Sequence, residues 1–373
     1  MPAARWPLLV LAAAAASAAP ASAEGGPAAG AAAAGGGDGP TAAAAPPTFP
    51  PAPPGSWQWV PLPGTKCMDG SETGVWLKYG PAGAAGTQLG VYLSGGGACF
   101  NLETCLTASH TAKPGAPGSG GIFNGTRPDN PFRNSSWIVV PYCTGDVHIG
   151  DRTALFNLEL RHFHGAPNLR AIMTRAVATF RQTKVFVATG ESAGGFGAIS
   201  AYNLMRSYWH PGVRGVMLDD SGPVIDDVAL APCLQALWRR TWDLNGTLPP
   251  RCPCISAAGG LSAIWNFTKS RWPSDTFGLI SSLKDSTIST FFAYGELDCH
   301  DPLIPVGYDK LAGGLKRLSR GVPVYMISGS EHTHTGGKAE FYTKTSGGVS
   351  LLSWVTALVQ GKTPPSVSPT TEL

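Results

Sequence analysis

The chain has 373 residues, of which 43% are hydrophobic and 14% charged, and a formal net charge of +3. That length supports a large core in one α/β domain or two small ones, while a charge so small and so evenly spread excludes recognition of nucleic acid through a basic face. Eight cysteines behind an apolar leader read as disulfides of an oxidising compartment rather than as a redox or metal set.

Residues 1–23 carry Arg5, the apolar run Leu8 to Ala12, a string of alanines and the closing Ala21-Ser-Ala23. This is the pattern of a secretory signal peptide, so a secreted, extracellular protein is expected. Residues 24–55 are Ala, Gly and Pro with almost no large apolar side chain, a composition that cannot offset its own ordering entropy. Residues 362–373, with three prolines, are expected to be equally loose. No later segment reaches the roughly eighteen apolar residues of a membrane span, so none is expected in the mature chain. Residues 56–361 are left as the folded domain.

Within it Leu89 to Leu93 reads as a short strand running into Ser94-Gly-Gly-Gly-Ala-Cys-Phe-Asn101. Three consecutive glycines permit a turn whose N–H groups point at a ligand, as in the second half of an oxyanion hole. Trp137 to Cys143 is the next strand. Leu169, Ile172, Met173, Ala176, Val177 and Phe180 recur at helical spacing and predict an amphipathic helix over a sheet. Lys184 to Ala188 is again apolar and β-branched, and it leads to Thr189-Gly-Glu-Ser-Ala-Gly-Gly-Phe-Gly197. Ser192 is thus the centre of a G-x-S-x-G pattern between a strand and a helical stretch, the context in which that pattern is a nucleophile elbow.

Arg214 to Ser221 reads as the following strand, and residues 225–284, with four tryptophans, as a helical cap beside the site. The β-branched and aromatic run that closes on Tyr294 is expected to be a strand delivering Gly295-Glu-Leu-Asp-Cys-His-Asp301. Pro323 to Ile327 is the last strand and delivers Ser328 to Gly336, with a closing helix over Leu351 to Val359. Strands alternating with helices imply a mostly parallel sheet, and the loops at one edge of such a sheet form the site.

A serine hydroxyl needs an imidazole to take its proton, and the imidazole needs a carboxylate to fix its tautomer. Chain order proposes Ser192, then Asp298, then His334 or His332, with Asp219, Asp220 and Asp301 as other carboxylates in reach. The hole would be the N–H groups of Gly96, Gly97 and Ala193. The pairs His332/His334 and His162/His164 lack further ligands at metal-site spacing, so neither a metal nor a cofactor is expected. Asn124, Asn134, Asn245 and Asn266 head glycosylation acceptor patterns.

Four blocks, Leu93-Ser-Gly-Gly-Gly-Ala-Cys-Phe-Asn101 with Cys105, Val140-Pro-Tyr-Cys-Thr-Gly-Asp146, Gly190-Glu-Ser-Ala-Gly-Gly195 and Asp219-Asp-Ser-Gly222, together resemble the pectin acetylesterase and Notum family of secreted carboxylesterases. The resemblance implies an α/β-hydrolase fold with nucleophile Ser192, a hole at Gly96, Gly97 and Ala193, and the acid at Asp298. It also implies bridges Cys67 to Cys143 and Cys99 to Cys105, with Cys233, Cys252, Cys254 and Cys299 pairing among themselves. The expected reaction is hydrolysis of an O-acyl ester, foremost acetyl on an extracellular polysaccharide such as pectin. The alternatives are removal of a longer acyl group from a secreted protein, and a carbohydrate-binding protein on an inactive scaffold. Glu191 departs from the small residue usual in the family, and Gly97 from a tryptophan often found there.

Overall fold

The computed structural model describes residues 47–112, 115–156, 158–293 and 308–370. The leader and most of the Ala/Gly/Pro segment lie outside them, as do Asp298, Cys299 and Asp301. In chain order the strands of four residues or more are β1 (Trp57–Leu62), β2 (Thr73–Lys78), β3 (Gln88–Leu93), β4 (Ser136–Val140), β5 (Arg152–Phe156), β6 (Glu159–Phe163), β7 (Val185–Glu191), β8 (Arg214–Asp220), β9 (Thr276–Ser282) and β10 (Val324–Ile327). The helices are α1 (Leu102–Thr107), α2 (Gly165–Thr179), α3 (Ala193–Ser200), α4 (Tyr202–Arg206), α5 (Pro232–Trp242), α6 (Leu244–Thr247), α7 (Ala263–Arg271), α8 (Ser286–Ala293), α9 (Tyr308–Leu318) and α10 (Leu351–Val359).

Eight strands form one sheet in the order β1-β2-β4-β3-β7-β8-β9-β10. β1 and β2 are antiparallel to their neighbours and the rest are parallel, so both faces must be covered. Alternate side chains do this: Leu89, Val91 and Leu93 of β3 enter one core, with α2, α3 and α5, while Tyr92 enters the other, with Trp354 and Val355 of α10. Pro61 is tolerated in β1 because β1 is an edge, where a missing N–H breaks no ladder on its outer side.

Three expectations are corrected. Residues 286–293 form a helix, α8, and not a strand. Asp285 explains why: its Oδ1 accepts the Ile288 N–H at 2.9 Å, an N-cap that starts a helix despite β-branched residues. The strand of this region is β9, seven buried residues inside the segment assigned to the cap. The cap proper, α5 to α7, therefore ends before Thr276. Finally, the described residues of both end segments make contacts with the fold: Phe49 is buried with its N–H on Thr179 Oγ1, and Val367 bridges to Tyr325, exchanging backbone bonds with Val324 and Met326 of β10.

Candidate active site

β7 ends and α3 begins at Ser192, whose backbone sits at φ 56°, ψ −124°. That conformation costs of order 1–3 kcal/mol in a non-glycine residue and persists only where neighbours over-determine it. They do so here. The Ser192 N–H bonds the Asp220 carbonyl at 2.8 Å, and its carbonyl accepts from Phe196 at 3.0 Å. Any Cβ on Gly194 would stand 1.9 Å from the Leu93 carbonyl oxygen, so only glycine lets α3 approach β3 this closely.

The loop after β3 closes over the serine. A Cβ at Gly95 would lie 2.9 Å from the Ser192 Cβ, which puts Gly95 directly against the elbow. Gly97 adopts φ +80°, a left-handed turn that favours glycine. The Cys99–Cys105 bridge, the Cys99 N–H on the Gly145 carbonyl and the Trp242 indole N–H on the Cys99 carbonyl hold the loop's far end. Ala193 is the first residue of α3, so its N–H has no intrahelical acceptor.

A bridge closing so short a loop contributes about 2 kcal/mol through the unfolded state. Its larger effect is on loop geometry. If the loop carries an oxyanion donor, the Cys99→Ser/Cys105→Ser variant is expected to lose up to about a hundred- to a thousandfold in kcat, the scale of a removed donor, with a modest fall in melting temperature. Wild-type kcat with a lowered melting temperature would detach the bridge from the site.

The histidine loop follows β10. His332 Nδ1 lies 2.8 Å from Asp285 Oδ2, and Asp285, between β9 and α8, is fully buried. Its two oxygens divide the work, one capping α8 and one facing the imidazole. His332 Nε2 is buried and has no hydrogen-bond partner among the described residues. His334 differs. It is buried, its Nε2 meets Ser282 Oγ at 3.1 Å and its N–H bonds Asp220. Burial lowers its pKa.

The other carboxylates have structural partners. Asp220 gathers the His334 and Thr335 N–H groups and the Thr335 hydroxyl, which fixes the histidine loop against β8. Asp219 accepts the Gly222 N–H, and burial holds its carboxyl well above the usual range. Neither touches an imidazole by hydrogen bond. Asp298 and Asp301 lie outside the described residues. Sequence reasoning missed Asp285. The usable signal was Phe277-Gly-Leu-Ile280, a short apolar run, followed a few residues on by Asp285-Ser-Thr-Ile288, a strand leading to a helix cap.

Two hollows lie at the elbow, of which one is lined by Ser192 itself. One, of about 40 Å³, is apolar and bounded by Gly97, Ala98, Val147, Ser192, Ala193, Phe196, Trp238, Ile288, Phe291 and Phe292 among others. Trp238 is stacked on Trp242 at 5.4 Å and meets Phe196 edge-on at 5.3 Å, so the cap's indoles fill this side. Val147 reaches it from a loop held by Asp146, which bonds Thr144, His148, Gly150 and Gly165 and whose carboxyl burial pushes up to about 6. The second hollow, of about 320 Å³, lies beyond Gly95 and Glu191.

Cys67 is bonded to Cys143. In the cap Cys252 is bonded to Cys254, and Cys233 is also disulfide-bonded. Asn134, Asn245 and Asn266 are exposed and Asn124 is half-buried. His162 and His164 both meet the Thr153 hydroxyl across the β5–β6 hairpin. No helix among the described residues is long and apolar enough to cross a membrane.

The family model described as Pectinacetylesterase matches residues 60–253. Palmitoleoyl-protein carboxylesterase NOTUM of Homo sapiens is 26% identical over 211 residues, a match covering 50% of this chain and 42% of the relative. Pectin acetylesterase 11 of Arabidopsis thaliana is 26% identical over 202 residues, covering 51% of each. The chain thus spans about half the length of the curated relatives it matches. Among solved structures, the Wnt deacylase Notum from Drosophila is similar with a TM-score of 0.65 at 19% identity, covering 85% of this chain and 97% of that one. At that identity the likeness concerns the fold, an α/β-hydrolase-like architecture.

Proposed function

The chain belongs to the pectinacetylesterase family, and on that premise we propose that it is a secreted serine carboxylesterase that removes short O-acyl groups, foremost acetyl, from an extracellular polysaccharide. The observation that carries the reading is the Asp285–His332 pair with its second ring nitrogen unpartnered, in a chain that also holds a strained serine on a strand-to-helix turn, whose neighbour Glu191 feels the His332 charge. Ser192 is the nucleophile, His332 the base, and Asp285 the carboxylate that holds the Nδ1 proton and so leaves Nε2 as acceptor. As Ser192 Oγ bonds to the ester carbonyl carbon, its proton passes to Nε2. Negative charge then grows on the carbonyl oxygen, where the N–H groups of Gly96, Gly97 and Ala193 stabilise it. The imidazolium returns the proton to the departing sugar hydroxyl. A water, activated by the same nitrogen, then releases the acid from acyl-Ser192. No step calls for a metal.

The apolar hollow argues for a small acyl group. At about 40 Å³ it holds roughly three water-sized spheres, enough for a methyl and little more. With p-nitrophenyl esters, kcat/KM is expected to fall from acetate through butyrate to octanoate, since each methylene forced against a filled wall forfeits the roughly fourfold gain that an open pocket would give it. Trp238→Ala should flatten that series. A steady rise through octanoate in the wild type would favour removal of a long acyl group instead.

A further inference from the structure

A run of glycines has no side chains to hold its own shape, so the N–H groups after β3 are placed by what the loop rests against. The Cys99–Cys105 bridge and the Trp242 indole act on its far end. Its near end rests on residues 142–150, the segment that follows β4. There Val147 and His148 adopt φ of 48° and 63° in succession, a left-handed conformation that non-glycine residues keep only where their surroundings impose it. Asp146 does so: Oδ1 accepts the His148 N–H at 3.1 Å, and Oδ2 accepts Gly150 at 3.1 Å and Gly165 at 2.8 Å. The Tyr142 hydroxyl accepts the Val147 N–H at 2.8 Å.

That turn buries the His148 side chain against the elbow. A Cβ on Gly197 of α3 would lie 3.3 Å from the His148 Cβ, and the imidazole lies 4.8 Å from the Tyr142 ring. Its Nε2 stands 2.9 Å from the Ser94 carbonyl oxygen. A carbonyl only accepts, so Nε2 carries the proton. Burial pushes the imidazole pKa down to about 4, so near neutral pH the ring is uncharged. The Ser94 N–H is itself bonded to the Val140 carbonyl at 3.1 Å. Ser94 is therefore held on both sides where the glycine run begins, and Tyr142 supports the next step, since a Cβ on Gly96 would lie 2.8 Å from its Cδ1.

We propose that His148 is a positioning residue for ester hydrolysis: by donating from Nε2 to the Ser94 carbonyl it fixes the direction in which Gly96 and Gly97 present their N–H groups to the developing oxyanion. The inference rests on the esterase reading and deepens it, adding a residue that acts only through the loop. A histidine kept for packing alone would be replaceable by any side chain of its size. One kept for positioning needs a donor at Nε2, and its loss should fall on the transition state, where the oxyanion exists, rather than on the bound ester.

The test uses two variants of the full chain, with folded sites counted from the endpoint of fluorophosphonate labelling. His148→Met, which fills similar space without a donor, is expected to lower kcat on p-nitrophenyl acetate by roughly a hundredfold while KM stays within about threefold. Affinity for trifluoroacetone, whose adduct with the serine carries the oxyanion, should fall by the same factor. His148→Gln, whose amide nitrogen reaches the place of Nε2, should recover most of both. Should the methionine variant not fold, long-range nitrogen–proton correlation in the wild type supplies the readout: His148 is expected to carry its proton on Nε2, and a proton on Nδ1 instead would overturn the proposal. A methionine variant with wild-type kcat and ketone affinity, or a loss that glutamine does not recover, would overturn the positioning role and, with the wild type still active, leave the esterase reading standing. A wild type that hydrolyses no ester would defeat that reading and this inference with it.

Discussion

Ser192→Ala and His332→Ala are each expected to lower kcat on p-nitrophenyl acetate by about four to six powers of ten, and the double variant by little more than either alone. On the proposed mechanism Ser192 and His332 act as one unit, so removing either disables the same step. The two should differ in labelling: fluorophosphonate modifies Ser192 directly, so Ser192→Ala loses labelling outright and His332→Ala loses its rate. His334→Ala supplies the contrast. Its imidazole meets Ser282 and not a carboxylate, and the backbone N–H that binds Asp220 survives the substitution. It should cost about 1–3 kcal/mol of stability for the buried partner left behind, while kcat per folded molecule changes less than tenfold. If His334→Ala were the variant that abolished kcat with its melting temperature intact, the base would have to be reassigned.

The difference between the two histidines is a matter of tertiary placement. They are separated by Thr333, whose φ of +64° turns the chain so that one ring reaches Asp285 and the other Ser282. A sequence shows two histidines on one loop and nothing of that turn. The elbow is different, because its signal is local: a buried strand, a glycine on either side of the serine, and a helix whose small residues admit close approach. The alternation of strand and helix from Gln88 to Asp220 is legible for the same reason, since each element carries its own period.

Legibility fails where packing overrides local preference. Ser286 to Phe292 is rich in β-branched and aromatic residues, yet a capped start and burial of Ile288 and Phe292 make it a helix. β9 is buried on both faces and so shows no alternation, and the tryptophans before it drew it into the cap. With β9 read as part of the cap, Asp285, which meets His332, does not stand out among the candidate carboxylates, while Asp298 lies outside the described residues. The proline-rich end misled in the same way: Val367 pairs beside β10, although nothing in Pro364-Pro-Ser-Val-Ser-Pro369 has the period of a strand. Glu191, by contrast, stands out in the sequence as a departure from the family.

Asp285→Asn is expected to cost about 10⁴ in kcat, the scale of the same exchange in a serine protease triad, while leaving the fold nearly unchanged. The asparagine carbonyl can still accept the Ile288 N–H and cap α8, so the helix keeps its start. The amide would then turn its NH2 toward His332 Nδ1, reversing the imidazole tautomer and placing the proton on Nε2, where it blocks acceptance of the Ser192 proton. Asp285→Ala removes the cap as well and should add a loss of about 0.5–2 kcal/mol of stability that the asparagine variant does not show. Comparing kcat with thermal melts for the two variants therefore separates the electrostatic role from the capping role. The decisive companion is Asp298→Asn. On the Asp285–His332 geometry it should retain kcat within a few-fold, and a reversal, with Asp298→Asn inactive and Asp285→Asn active, would return the acid to Asp298.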